Sequence, residues 1–301
     1  MLFFCLLRYN QTMSLSFRKV FFIWIVLCWL FSMIWLSTMA RAEIPDPTKG
    51  AWSDPEHPLV IELFTASNCS ACITADRILY DMAKDPNVIA LSCHVQYWDE
   101  HTLSDPTGLE ACTYRQWAYK SSGRMDDAEV KIPYMVVDGN ESVFTGRLDF
   151  FYPRVQIVRE RAPRLPLWIG MQWKGKDKIL VTFPEIPRNY NINLRDSFSV
   201  WLIRYEDFII QKIKGKDGKD RVLRFSNVVR KAKHIAKWHG ESRTIEVAVP
   251  EPEGGSKKGG YVVIIHETNG SEIYAAGKLV DFKAENDQKN PEPKTKDRMP
   301  E

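Results

Sequence analysis

The chain has 301 residues, 45% hydrophobic and 26% charged, with a formal net charge of +3. The length suffices for two modest domains with a buried core, and the composition is that of a globular protein. A balance this close to neutral, without a long run of one sign, speaks against a nucleic-acid partner.

Arg18 and Lys19 precede an uncharged apolar stretch, "VFFIWIVLCWLFSMIWL" at 20–36, and "STMARA" follows with small residues at Ala40 and Ala42. A basic flank, an apolar run and an A-x-A site describe a signal peptide, 1–42, with a mature chain starting at Glu43. The alternative is an uncleaved anchor, because 17 apolar residues come near the spanning minimum. Membrane association is expected only in that second case. Either way the rest of the chain is expected to be exported, periplasmic or secreted. Export leaves Cys69, Cys72, Cys93 and Cys112 in an oxidising compartment, where four cysteines allow three disulfide connectivities.

Residues 43–54 are Pro-rich and read as an extended leader. "LVIELFTA", 59–66, reads as a buried strand. In 70–84, Ala75, Ile78, Leu79 and Met82 fall at helical spacing. Asp85-Pro86-Asn87 breaks that helix, and "VIALSCHVQYW", 88–98, is a second strand. This strand–helix–strand order is a βαβ unit. A second helix is expected over 108–123, stopped at Gly123. A hairpin follows, with a strand at 134–137, an Asp138-Gly139 turn and a strand near 142–145. A closing helix is expected over 149–162, with Leu148, Phe151, Val155 and Val158 on one stripe.

Beyond Pro166 the texture changes to short β-type runs, among them "FSVWLIRY", "VLRFSNVV" and "YVVIIHE". Their spacing predicts a β-sandwich-like domain over 166–282, after an α/β domain over 55–165. The tail 283–301 is polar and expected to be disordered. The basic stretch 221–240 reads as a solvated sheet face.

Cys69 and Cys72 stand where the first strand meets the first helix. Two cysteines at this spacing can be a redox couple, half of a metal site or a structural staple. A zinc site needs about four ligands, and no second CxxC is present, although His94 could contribute. A staple closing so short a loop removes little chain entropy. A thiol at a helix N-terminus faces unpaired N–H groups and the positive dipole end, which favour thiolate. Cys69, nearer that end and more exposed, is expected to attack, and Cys72 to resolve the mixed disulfide. Glu62, inside the apolar "VIELF", is the expected proton acceptor for Cys72; the alternative is a surface strand-end glutamate. The Ile132–Pro133 bond is expected to be cis, presenting a backbone edge beside the cysteines to a peptide substrate.

The ordered set "VIELFTASNCSAC", "IALSCHVQYWD", "YRQWAY" and "IPYMVVDG" resembles the DUF1223 family of secreted, uncharacterised thioredoxin-like proteins. "VLRFSNVVRKAKHIAKWHG" is similar to that family's β-rich C-terminal half. The resemblance spans roughly 55–282 and implies a thioredoxin-like domain. Departures lie beside the motif: Ile73 stands where the family looks to have proline, and Gln96 where it has aspartate. Cys93 and Cys112 also occupy positions where the family usually lacks cysteine, which suggests a pair. Cys93 shares a strand face with Ile89 and Leu91, and a helix packed on that face can bring Cys112 to it.

His94, Tyr97, Trp98, Asp99 and His101 crowd the end of the second strand, the usual face for sites in α/β sheets. His94 and Trp98, with Ile132 and Pro133, form the expected substrate wall, and Arg115 and Gln116 are expected to order this loop. The expected function is thiol–disulfide exchange on exported protein thiols or small thiols. It needs an unidentified redox partner and no cofactor. The alternatives are a binding scaffold whose CxxC bond is structural, and a CxxC metal-binding protein.

Overall fold

The apolar run Leu59–Thr65 is wholly buried and forms β1 near the middle of a sheet. The computed structural model describes residues 57–100, 105–125, 129–144, 151–160, 166–188, 190, 197–214, 220–249, 258–268 and 272–281. The expected signal peptide, leader and tail lie outside the described residues, as does His101. A 3-10 turn, Ser70–Cys72, leads from β1 into α1, Ile73–Met82. Ala75, Ile78, Leu79 and Met82 form the buried stripe of α1, packed with Leu59, Ile61 and Leu63 of β1. The chain then breaks where Asp85 Oδ1 accepts the Asn87 N–H at 2.8 Å. It re-enters as β2, Val88–His94, parallel to β1 from Leu59↔Val88 to Thr65↔His94.

A second 3-10 turn, Gln96–Glu100, follows β2 where the sequence predicted more strand. Next comes α2, Glu110–Ser121, which ends at Gly123 with φ +71°, a conformation that favours glycine. β3, Tyr134–Val137, runs antiparallel to β1, and β4, Glu141–Phe144, runs antiparallel to β3. The turn between them has φ 49° at Asp138 and 67° at Gly139, the left-handed pair that a tight hairpin requires. α3, Phe151–Glu160, places Phe151 and Val155 against the same cluster as α1.

The remaining strands are β5 (Leu167–Trp168), β6 (Gly170–Trp173), β7 (Lys178–Phe183), β8 (Phe198–Lys214), β9 (Asp220–Trp238), β10 (Arg243–Ala248), β11 (Gly259–His266) and β12 (Ile273–Val280). The sequence reading assigned them to a sandwich-like domain of their own. Instead one sheet of nine strands runs through both halves, in the order β4-β3-β1-β2-β9-β8-β11-β12-β5. The join is parallel, at Ser92↔Val228. The edge of β2 would otherwise be an unpaired ladder of N–H and C=O groups. Among the described residues everything belongs to one compact unit, Asp46–Glu301. A smaller sheet, β10-β7-β6, shares a core with the second half of the large one: Ile179, Val181 and Phe183 meet Val200, Trp238 and Val263.

β8 and β9 are far longer than the apolar runs that announced them, 17 and 19 residues. The last rung from β8 to β11 is Glu206↔Gly259, so beyond it β8 pairs with β9 alone. The pair continues as an arm, from Phe208↔Ser226 to Lys214↔Asp220. At the other end of β9, Lys231, Lys233 and Lys237 are exposed, as expected of a solvated face.

Candidate functional site

Cys69 and Cys72 are joined in a disulfide with Cα atoms 5.2 Å apart, inside the separation such a bond needs. Cys69 caps the 3-10 turn, and its carbonyl accepts the Cys72 N–H at 3.0 Å. Cys69 is 5% exposed and Cys72 0%. Cys69 is thus the more exposed residue of the two, as expected, though by a small margin. It lies in the wall of a groove of about 720 Å³ between α1 and the β8–β9 arm. Cys72 is not part of that wall. Ile73, Tyr80, Phe208, Ile210 and Val222 line the groove and are all exposed. The Tyr80 and Phe208 rings of this wall lie 6.0 Å apart between centroids, with their planes tilted by 55°.

The same wall contains Asp76, one helical turn beyond Cys72. Thr65 Oγ1 donates to Asp76 Oδ2 at 3.2 Å, while Oδ1 is buried without a hydrogen-bond partner. Burial pushes the Asp76 carboxyl up to about 8; the Thr65 bond opposes this, and the charge of Asp105 reinforces it. Burial thus favours the neutral form of Asp76. Sequence reasoning passed over it, because an acid in a helix's first turn is ordinary dipole complementation. The available signal was its spacing of four from Cys72, which puts the two on one helix face.

His94, expected in the substrate wall, is fully buried. Its Nδ1 lies 2.7 Å from Asp105 Oδ2 and 2.8 Å from Thr107 Oγ1, and its ring makes a T-shaped contact with Phe225 at 4.7 Å between centroids. Asp105 also accepts the N–H groups of Ser67 at 2.7 Å and Thr107 at 2.8 Å. Gln211 of the arm donates to Thr107 Oγ1 at 3.2 Å. Burial alone would raise the Asp105 carboxyl, but the bonds to His94, Thr107 and the Ser67 N–H outweigh it and hold it far below the usual range. His94 therefore serves as a strut. It ties the segment leading to Cys69, the end of β2 and the arm into one hydrogen-bonded group.

Glu62 is buried, but it stands in a different cavity from Cys69, of about 330 Å³. Arg115 Nε and Nη2 donate to its two oxygens at 2.9 and 3.0 Å, and the Tyr119 O–H donates to Oε2. Arg115 was expected to order the loop after β2; it serves Glu62 instead. Gln116 does order that loop. Its Oε1 accepts the Tyr97 O–H at 3.1 Å, and its Nε2 donates to the Lys131 carbonyl at 2.8 Å.

The Ile132–Pro133 bond is cis. Both residues are buried, and Ile132 belongs to the apolar cluster that contains Cys69 and Cys72, with Trp98 packed against it. Ile132, Pro133 and Trp98 are not in the groove wall. Cys93 and Cys112 form the second disulfide, Cα atoms 5.3 Å apart, in the same cluster. Two disulfides are compatible with an oxidising environment. For a metal, the disulfide leaves no thiolate at 69 or 72, and no grouping of three His, Cys, Asp or Glu among the described residues could hold an ion.

A family described as "Protein of unknown function (DUF1223)" matches residues 60–266, and the chain belongs to that family. The crystal structure of protein AGR_C_4864 from Agrobacterium tumefaciens is similar, with a TM-score of 0.59 at 20% identity, covering 75% of this chain and 96% of that one. At that identity the likeness is one of fold. No curated protein matches the chain.

Proposed function

We propose that this DUF1223 member is an exported, thioredoxin-like protein that exchanges disulfides through Cys69 and Cys72. The observation that carries the reading is the placement of Cys69, disulfide-bonded at a helix start, in the wall of a groove that also holds Asp76, whose Oδ1 is buried without a hydrogen-bond partner. The strand order β4-β3-β1-β2, with β3 and β4 antiparallel after a βαβ unit, supports the thioredoxin-like description. Export is supported by the N-terminal apolar stretch and by the two disulfides.

In the oxidised form a substrate thiolate attacks Cys69 Sγ, forms a mixed disulfide and displaces Cys72 as thiolate. Asp76 supplies the proton that neutralises it. A second substrate thiolate then attacks its own sulfur in the mixed disulfide and displaces Cys69, whose thiolate the helix start stabilises. The substrate leaves oxidised by two electrons and the protein reduced by two. The reverse direction uses the same steps, with Cys69 attacking and Cys72 resolving. The apolar groove suits a polypeptide bearing cysteines better than a small polar thiol.

The test is an equilibrium titration of the Cys69–Cys72 bond against glutathione, with a Cys72→Ala variant to trap substrate on Cys69. A potential above about −270 mV and a trapped adduct are expected. One second reading has an observation in its favour. The near-complete burial of both cysteines suits a permanent bond in a binding scaffold, and a potential below about −300 mV establishes that reading instead.

A further inference from the structure

The two strands of the arm meet the groove at Cys69 in different ways. β8 contributes Phe208 and Ile210, two positions apart, whereas β9 contributes four consecutive residues, Val222 to Phe225. Successive side chains of a strand point to opposite faces. A space that touches alternate residues lies on a face, and one that touches four in a row lies along an edge. The groove therefore runs along the edge of β9. Over these four residues β8 occupies the opposite edge, from Ile209↔Phe225 to Lys212↔Val222. On the groove side β9 meets β2 at Ser92↔Val228, and among the described residues no rung continues from there toward Asp220. In an antiparallel ladder every second residue turns its N–H and C=O away from a given neighbour. Half of Val222–Phe225 thus directs both groups away from β8, and they find no backbone partner among the described residues. An open ladder of this kind is a template for an added strand.

Charge narrows what that strand can be. Arg77 of α1 and Arg224 of β9 stand in the same wall, both exposed and neither in an ion pair among the described residues. Asp76 is the one acid in this wall, so the wall is net positive whichever form its carboxyl takes. Tyr80 and Phe208 add exposed apolar surface between the two arginines' elements. A second copy of the chain paired edge to edge here would bring its own arginines against these, and facing like charges are destabilising.

We infer that the groove receives an extended polypeptide segment as a strand on β9 along Val222–Phe225, with apolar side chains against Tyr80 and Phe208 and acidic ones against Arg77 and Arg224. The inference deepens the exchange reading and rests on it for one feature, the cysteine that the segment carries to Cys69. Backbone, apolar and charge complementarity stand on the groove itself.

The test uses the full oxidised chain and the fluorescein-labelled peptide Asp-Ile-Phe-Ser-Val-Ile-Asp, in which Ser replaces the reactive cysteine so that binding is read without exchange. By anisotropy, saturable 1:1 binding is expected, at least tenfold tighter than that of Lys-Ile-Phe-Ser-Val-Ile-Lys. Arg77→Gln combined with Arg224→Gln should bring the two peptides within about twofold of each other. Two further acidic peptides carry N-methyl groups on alternate backbone amides, one on each set. One should weaken at least tenfold and the other less than twofold, because only one set of N–H groups faces β9. No saturable binding, equal affinity for the acidic and basic peptides, or equal effects of the two methylation patterns would overturn the assignment. So would a dimer in sedimentation that excludes the peptide, which would give the edge to a second copy. The same peptides with Cys restored separate this inference from the exchange reading. Tight acidic binding without oxidation to the peptide disulfide refutes exchange and supports the groove as a polypeptide site. Oxidation at equal rates for acidic and basic peptides, with no preference in binding, supports exchange and overturns the groove.

Discussion

Arg115 holds Glu62 through two hydrogen bonds, Nε to Oε1 at 2.9 Å and Nη2 to Oε2 at 3.0 Å, across 53 positions of sequence. Glu62 is 3% exposed, so the guanidinium takes the place of water beside its carboxylate. Burial opposes the charge on Arg115 as well, but the adjacent carboxylate more than compensates and raises its pKa. Removing one partner of a buried pair leaves a charge without compensation, which costs about 3–5 kcal/mol. Arg115→Met is therefore expected to lower unfolding stability by that amount in urea titrations. Glu62→Met combined with Arg115→Met should recover most of the loss, because no unpaired charge is left. A single variant within about 1 kcal/mol of the parent, the size typical of an exposed pair, would show that water already screens the pair.

Asp76 should give the oxidised protein an unusual pH dependence. Its carboxyl is raised from 3.8 to about 8 in the folded state, so folding is favoured by the protonated form. Its contribution is fully present below the unfolded value, falls as pH rises through the interval up to about 8, and is flat above. Asp76→Asn removes that slope, so the variant should gain on the parent as pH climbs through this interval. The same variant should slow attack on the Cys69–Cys72 bond at pH 7 by about a hundredfold, the low end for a positioned acid. Stability curves of equal slope would refute the buried-acid assignment, and an unchanged rate would remove Asp76 from the exchange reaction.

What the sequence revealed and what it concealed divide along the range of the interactions. The α1 stripe, the Asp138-Gly139 turn, the stop at Gly123 and the placement of Cys69 at a helix start rest on neighbours a few positions apart, so periodicity and turn chemistry disclose them. The Cys93–Cys112 bridge was legible because strand parity and helix packing leave few ways to satisfy two cysteines on facing elements. The partner of Glu62 was not legible. An acid in an apolar strand looks the same whether it serves a thiol or an arginine 53 positions away. The continuous sheet was hidden for a similar reason, since Ser92↔Val228 is a backbone pairing with no side-chain signature. The length of the arm escaped notice because Glu206 and Asp207 interrupt the apolar run ahead of Phe208, so that "FSVWLIRY" reads as a complete strand.

The second disulfide should matter more for stability than the first. It closes a separation of 19 residues against 3. The chain-entropy relation gives about 3 kcal/mol for the longer loop and about 2 for the shorter. Replacing Cys93 and Cys112 together by Ala should lower the urea midpoint more than replacing Cys69 and Cys72, and should leave exchange at Cys69 measurable. If the 69–72 pair proves the more stabilising, the CxxC bond acts chiefly as a staple and the exchange proposal loses its main support.

Asp105 carries the opposite pH signature to Asp76, and the two can be separated in one titration series. Its carboxyl is held far below the usual range despite burial, because His94, Thr107 and the Ser67 N–H all bond to it. A depressed carboxylate contributes stability above its unfolded pKa of about 3.9 and loses it as pH falls through the folded value. Asp105→Asn keeps the shape but loses the charge, so at pH 7 it should cost about 3 kcal/mol, the upper range for a hydrogen bond to a charged group. The gap between variant and parent should stay constant from pH 7 to about pH 4 and close below it, as the parent is forced to protonate Asp105. The Asp105 charge also helps to raise Asp76. In Asp105→Asn the Asp76 carboxyl, followed by carbon NMR, should therefore titrate at a lower pH than in the parent. A gap that persists unchanged to pH 2, with Asp76 unmoved, would mean that the charge of Asp105 is not what holds His94, Thr107 and Ser67 together.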